Sequence, residues 1–250
     1  MSQNKSRICA GMSIVGGKGY GKAVVIDAEV NDALVLVKID PKKIDGEIER
    51  FEVAREKAKD YYNNYSEEFA VDSARNNDIS IIDMYKYIIN DKTLAKEVIK
   101  SIATDNYSAE SSVQIVTKNI IETFQFADSE YFRERGKDIE DVRNKLLFYL
   151  KGGSEKSRLF DEDVVLVIKR SFLLSDIIGS NVERIKAIIC ASSGKTSHAV
   201  IVAHSRSIPV VVGVDITSLD IDNGVNVLVD SDTGTFTINP SDILLDIYYT

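Results

Sequence analysis

Ser193-Gly194-Lys195-Thr196-Ser197-His198 follows the apolar run Ile185 to Ala191 and precedes Ala199-Val200-Ile201-Val202-Ala203. This order predicts a strand, a short loop of small and polar residues, and a helix that begins at His198. A helix start leaves backbone N–H groups without intrahelical partners, so it is a place to hold a phosphoryl group. His198, one of two histidines in the chain, is there aimed at solvent beside amide donors, and the stretch reads as a phosphohistidine site. A nucleotide-binding P-loop would need a glycine five positions before Gly194, and Ile189 stands there. Without that glycine the loop lacks the backbone arch that wraps a nucleotide's phosphates. A plain polar residue at a helix start is the other alternative, and His198 taken alone does not separate the two.

Outward from this stretch the hydrophobic period changes twice. Between Gly11 and Lys38 it is strand-like, in Ala23 to Ile26 and again in Ala33 to Val37. From Pro41 it turns helical: Ile44, Ile48, Phe51, Ala54, Ala58 and Tyr62 recur at intervals of three or four, with Asp40 as cap. Further helices are predicted around Ile81, Ile82, Tyr85, Ile88 and Ile89, then Leu94, Val98, Ile99 and Ile102 after Asp91 as cap. A fourth carries Val113, Val116, Ile120, Phe124 and Ala127, and a fifth Ile139, Val142, Leu146 and Tyr149 before the stop at Gly152-Gly153. Strands return at Val164 to Ile168, Ile185 to Ala191 and Val210 to Val214. A hairpin of Val225 to Val229 and Thr235 to Ile238 follows, turning at Asp232-Thr233-Gly234. The fold class is therefore α/β with an inserted all-α helical bundle. Residues 1–40 and 153–240 form the α/β domain, 41–152 the bundle, and 241–250 the start of a helix that leaves the domain.

The chain has 250 residues, 44% of them hydrophobic and 28% charged, enough for a sizeable core. No apolar run approaches the roughly 20 residues of a membrane span, and residues 1–7 lack the apolar stretch of a secretion signal. A cytoplasmic protein is expected. Cys9 and Cys190, both flanked by apolar residues, suit buried free thiols in a reducing compartment. Two cysteines and two histidines at scattered positions predict no metal site. A net charge of −8 argues against nucleic acid and favours a basic protein partner.

The stretch Gly194 to Ala203, with Ile208-Pro209-Val210-Val211-Val212-Gly213 after it, resembles the swivelling phosphohistidine domain of enzymes that use phosphoenolpyruvate. That domain's pattern is Gly-Gly-Arg/Met-Thr-Ser-His, a small apolar helix, and a Pro-containing turn into a strand ending in Gly. Here Ser193 stands in place of the first glycine. Gly16 to Ile26, and Asp128 to Arg135 with Asp138 to Val142, are similar to the N-terminal half of Enzyme I of the bacterial sugar phosphotransferase system. The resemblance covers nearly the whole chain.

It implies phosphoryl transfer through His198, from a phosphoenolpyruvate-binding C-terminal domain to a histidine-containing phosphocarrier protein. Neutral imidazole is a good nucleophile near pH 7, and its phosphoramidate can pass the group on. Transfer asks mainly for positioning and charge stabilisation, which Lys195, Thr196 and Ser197 and the amides around Ser197 and Ala199 would supply. Lys195 is equally a solvated surface charge, and Thr196 fits a cap better than a ligand. His204 lies six residues after His198, off its helical face, and reads as structural or surface. The carrier would dock on the bundle at Tyr85, Ile88, Phe124, Phe132 and Arg135. Aromatics at helical spacing are commonly core, which for Phe124 leaves core and interface equally open, and Arg135 is expected to be exposed.

No cofactor is expected in this chain. The resemblance places magnesium, and the dimerisation of full-length relatives, in the phosphoenolpyruvate-binding part, which lies beyond this chain. Two departures stand out. Arg75-Asn76-Asn77 replaces an acidic cluster, which bears on carrier affinity. Phe172-Leu173-Leu174 replaces a Leu-Thr-Pro segment whose threonine would bond the active histidine, leaving Ser171 or Ser175 to set its tautomer. The alternatives to the phosphotransferase are the swivelling domain of a pyruvate phosphate dikinase-like enzyme, against which the inserted bundle argues, and a non-catalytic regulatory binding module.

Overall fold

The computed structural model describes residues 6–26, 36–65, 81–126, 128–154, 158–219 and 221–249, with the backbone alone for residues 81 and 130–132. The chain divides into two compact units, Met1–Glu29 with Ser157–Thr250 and Val30–Lys156. The expected strand residues Ala33 to Val35, the Arg75-Asn76-Asn77 segment and Ala127 lie outside the described residues.

The first unit is built on one eight-stranded sheet. Its strands are β1 (Arg7–Ala10), β2 (Met12–Val15), β3 (Lys18–Ile26), β4 (Val164–Ser171), β5 (Ile185–Ser192), β6 (Val210–Val212), β7 (Asn226–Asp230) and β8 (Thr235–Ile238). They run in the order β1-β8-β7-β3-β4-β5-β6-β2. Strands β3 to β6 are mutually parallel, and β2, β7, β8 and β1 pair antiparallel at the flanks. Parallel neighbours need a crossover connection. Between β3 and β4 that crossover contains the whole helical unit.

Val164 to Ile168 and Ala187 to Cys190 are buried without alternation, as expected of central parallel strands covered on both faces. One side of the sheet gathers Ala23, Val165, Val167, Ala187, Ile189, Val211, Val227, Val229 and Phe236 into a single core. The β7–β8 hairpin closes with Asp230 opposite Thr235, as the turn residues predict. β1 and β2 are consecutive in the chain yet pair with opposite ends of the strand order, β1 with β8 and β2 with β6. The Gly11 N–H donates to the Gly234 carbonyl at 2.8 Å where the chain passes from one to the other. β6 ends at Val212, two residues short of the expected limit, because Gly213 turns the chain at φ +74, a conformation that favours glycine.

The second unit has five helices among its described residues: α1 (Ile44–Asn64), α2 (Ile81–Asn90), α3 (Lys92–Asp105), α4 (Ala109–Gln125) and α5 (Glu130–Leu150). Asp40 accepts from the Lys42 N–H at 2.9 Å ahead of a 3-10 turn over Pro41–Lys43 that leads into α1. Asp91 caps α3 through the Thr93 N–H at 2.6 Å. α5 stops as predicted, with Gly152 at φ +80 and its N–H on the Tyr149 carbonyl at 3.0 Å. Leu36 and Val37 are not in a strand. The Val37 N–H donates to Ser111 Oγ at 2.9 Å and the Ile39 N–H to the Asn106 carbonyl at 2.8 Å, so this segment is tied to the helices.

In α4 the buried stripe is Val113, Thr117 and Ile121, whereas Val116, Ile120 and Phe124 are half-buried. Apolar periodicity marks Val113 but passes over Thr117, which satisfies its own hydroxyl on the Val113 carbonyl at 2.6 Å and so tolerates burial. Cys190 is a buried thiol as expected, but Cys9 is only half-buried. No helix among the described residues is long and apolar enough to cross a membrane. The last helix, α7 (Asp242–Tyr249), groups with the sheet unit, where the Tyr249 ring meets Tyr20 edge-on at 6.5 Å.

Candidate functional site

β5, an interior strand between β4 and β6, delivers its C-terminal end to the loop Ser193–Ser197. The Ser197 N–H donates to the Gly194 carbonyl at 3.2 Å, closing a tight turn whose tip, Lys195-Thr196, is exposed. α6 (His198–Ser205) starts at the histidine, as the sequence predicts, and buries Ala199, Val200, Val202 and Ala203. His198 is half-buried at the first helical position.

The cap is Ser197, not Thr196. Ser197 is 5% exposed, and its Oγ accepts from the Val200 N–H at 3.2 Å and lies 3.0 Å from Ser193 Oγ. The Ser197 hydroxyl thereby holds the helix start. The N–H groups of His198 and Ala199 come before those that Ser197 engages, at the electropositive tip. Replacing Ser197 with alanine is expected to destabilise the fold by about 1 kcal/mol, read as a lowered urea midpoint at unchanged slope.

Neighbouring elements fix the loop from both sides. Ser171, at the end of β4, places its Oγ 2.8 Å from that of Ser192, next to a register irregularity between Ile168 and Ser171. Beyond β4, the 3-10 turn Leu174–Asp176 packs against α6. On the other side the Ile208 N–H donates to the Ala203 carbonyl at 2.8 Å and the Gly213 N–H to the Ala191 carbonyl at 3.1 Å. Leu173 is buried and offers no polar atom on its side chain. His204 is exposed on the last turn of α6, away from the loop. Among the described residues, no three histidine, cysteine, aspartate or glutamate side chains come together as a metal site.

The model of the N-terminal region of phosphoenolpyruvate-utilising enzymes matches residues 10–135, and that of their mobile domain matches residues 160–234. The chain belongs to the phosphoenolpyruvate-utilising enzymes. Among curated relatives it is 29% identical over 238 residues to the phosphoenolpyruvate-protein phosphotransferase of Priestia megaterium, covering 95% of this chain and 41% of that protein. It is 30% identical over 233 residues to the same-named protein of Listeria innocua, covering 93% of this chain and 40% of that one. The chain thus spans about two fifths of the length of these relatives. A solution structure of Enzyme I (nEIt) superposes with a TM-score of 0.71 at 25% identity over 96% of each chain. The N-terminal domain of a nitrogen Enzyme 1, with a TM-score of 0.63 at 22% identity over 97% of this chain and 98% of that one, shares the fold.

In this member of the family the expected docking residues of the bundle do not share one environment. Tyr85 is a core residue at 2% exposure, its hydroxyl donating to Asp138 Oδ1 at 3.0 Å. That removes it from any surface, because the ring packs at 5.3 Å against the ring of buried Tyr62. Arg135 is likewise drawn inward, with 15% of its side chain exposed, by an ion pair to Asp138 at 3.0 Å. Asp138 is buried, so it needs compensating partners. Ile88 and Phe124 are half-buried, and Phe124 lies on the α4–α5 seam, where a Cβ on Gly136 would stand 3.5 Å from its own. The Phe132 side chain lies outside the described residues. Periodicity did not find Tyr87 and Phe126, which are 74% and 86% exposed, because it marks what turns inward.

Tyr85→Phe is expected to cost about 1.5–3 kcal/mol, the range for a bond to a charged acceptor. Burial first, then the Asp138 carboxylate, holds the Tyr85 phenol well above its ordinary value. A raised folded-state value means this contribution is complete below pH about 10 and is lost as pH rises past it. Alkaline denaturation curves of parent and Tyr85→Phe check the sign: the parent's excess stability shrinks above that pH.

Proposed function

We propose that His198 carries a phosphoryl group as phosphohistidine, taken from a phosphoenolpyruvate-binding domain and passed to a histidine-containing phosphocarrier protein. The observation that carries this is the place of His198: half-buried, first in α6, directly after a capped turn with an exposed tip. A lone pair on an unprotonated ring nitrogen attacks phosphorus. The N–P bond forms as the bond from phosphorus to the leaving atom breaks, and that atom keeps the electron pair. The leaving atom is the enol oxygen of phosphoenolpyruvate, whose enolate then takes a proton to give pyruvate, or the carrier's ring nitrogen in the reverse transfer. A loose transition state of this kind is stabilised by aligned donors and nearby cations, here the first amides of α6 and the exposed Lys195.

In this proposal the carrier docks on the helical unit, magnesium and dimerisation belong to the phosphoenolpyruvate-binding part, and the cytoplasm is the site of action. The curated relatives are named as phosphotransferases, which supports this over a dikinase-like enzyme or a non-catalytic module. The test is incubation with phosphorylated carrier. The chain should acquire a phosphate that is labile in acid and stable in base, located on a peptide containing His198. A parent that stays unlabelled, or an acid-stable label, sinks the proposal.

A further inference from the structure

Asp176 is a buried carboxylate that the transfer step does not use, with 2% of its side chain exposed. Its Oδ1 and Oδ2 accept from Nη2 and Nη1 of Arg170 at 2.7 and 2.9 Å, and Oδ2 also accepts from the Leu173 N–H at 2.9 Å. The same Arg170 Nη1 donates to the Ser171 carbonyl at 2.9 Å, and Arg158 Nη1 donates to the Asp176 carbonyl at 3.3 Å. A guanidinium fork on a carboxylate fixes angle as well as distance, which an ammonium does not. Compared with apolar packing, a buried pair of this kind adds little net stability. Its value lies in geometry, and the geometry it sets is that of the turn Leu174–Asp176.

That turn packs against α6, whose first residue is His198. The segment leading into it is held at its other end, where Ser171 meets Ser192 at the mouth of the loop. Leu173, which opens the turn, has no side-chain oxygen to bond the turn's amides, so Asp176 holds the turn's entry from the far side through the Leu173 N–H.

We infer that Asp176, clamped by Arg170, is a positioning residue for phosphoryl transfer: it sets the turn Leu174–Asp176 against α6 and through it the orientation of the His198 ring. This rests on the phosphohistidine proposal above. Two variants test it, Asp176→Asn, which keeps shape but not charge, and Arg170→Lys, which keeps charge but not the fork. The ring is read directly by 15N NMR of the His198 imidazole in the unphosphorylated chain, and the transfer by kinetics with phosphorylated carrier. Both variants should shift the ring nitrogen signals, and kcat should fall about tenfold with KM for the carrier unchanged.

A purely structural role would lower the melting temperature and leave ring signals and kcat at parental values in the folded variants, which overturns the inference. Should Asp176→Asn not fold, Arg170→Lys decides by the same readings. If the parent itself takes up no phosphate, the phosphohistidine proposal fails separately. The ring signals alone then decide whether this pair governs His198, changed signals supporting it and unchanged signals overturning it.

Discussion

Replacing His198 with alanine is expected to lower phosphate uptake from a phosphorylated carrier by at least about 10⁴-fold, the scale of removing a covalent nucleophile. The substitution is clean because alanine is a good helix former and Ser197, which caps α6, is untouched. Thermal unfolding should stay within about 1 kcal/mol of the parent, so a loss of transfer on this scale cannot be attributed to loss of fold. His204→Ala, at the exposed far end of the same short helix, should transfer phosphate at the parental rate. Label retained by the His198 variant, or lost in the His204 variant, would place the chemistry elsewhere.

Gly19→Ala is expected to destabilise the sheet unit by at least about 3 kcal/mol, beyond ordinary overpacking, because the obstacle is backbone. An added Cβ would stand 2.0 Å from the Lys186 carbonyl oxygen and 3.0 Å from the Ala187 Cβ. A carbonyl in a central strand cannot swing aside as a flexible side chain can, so β3 or β5 must move. The same substitution at Gly46, in the first turn of α1, meets nothing within 4 Å and should stabilise by about 0.5–1 kcal/mol. Urea midpoints of the two variants should thus move in opposite directions. A Gly19 variant as stable as the parent would mean that β3 does not cross β5 as closely as described.

The helix start at His198, the caps at Asp40 and Asp91, and the stop at Gly152 are all legible in the amino-acid sequence, because each is decided within a few residues of chain. The limits of local reading lie at Tyr85, Arg135 and Thr117. A tyrosine, an arginine and a threonine on helices look like surface or interface until it is known that Asp138 is buried beside the first two. For the third, the helix's own carbonyl accepts the hydroxyl. Asp176 is hidden from local reading for the same reason: nothing in Arg170-Ser171-Phe172-Leu173-Leu174-Ser175-Asp176 announces that residues six apart form a buried fork.

By itself, then, the sequence determined the alternation of strand and helix, the insertion of a bundle between two strands, and the placing of one imidazole at a helix tip. All of these follow from periodicity and from the short-range demands of unpaired amides. Tertiary structure alone decided that Ser197 rather than Thr196 closes the turn, that Tyr85 and Arg135 serve the core, and that Arg170 and Asp176 brace the site. Those outcomes depend on which polar groups lose contact with water when distant segments meet, and burial of that kind is a property of the assembled fold, not of any window of residues.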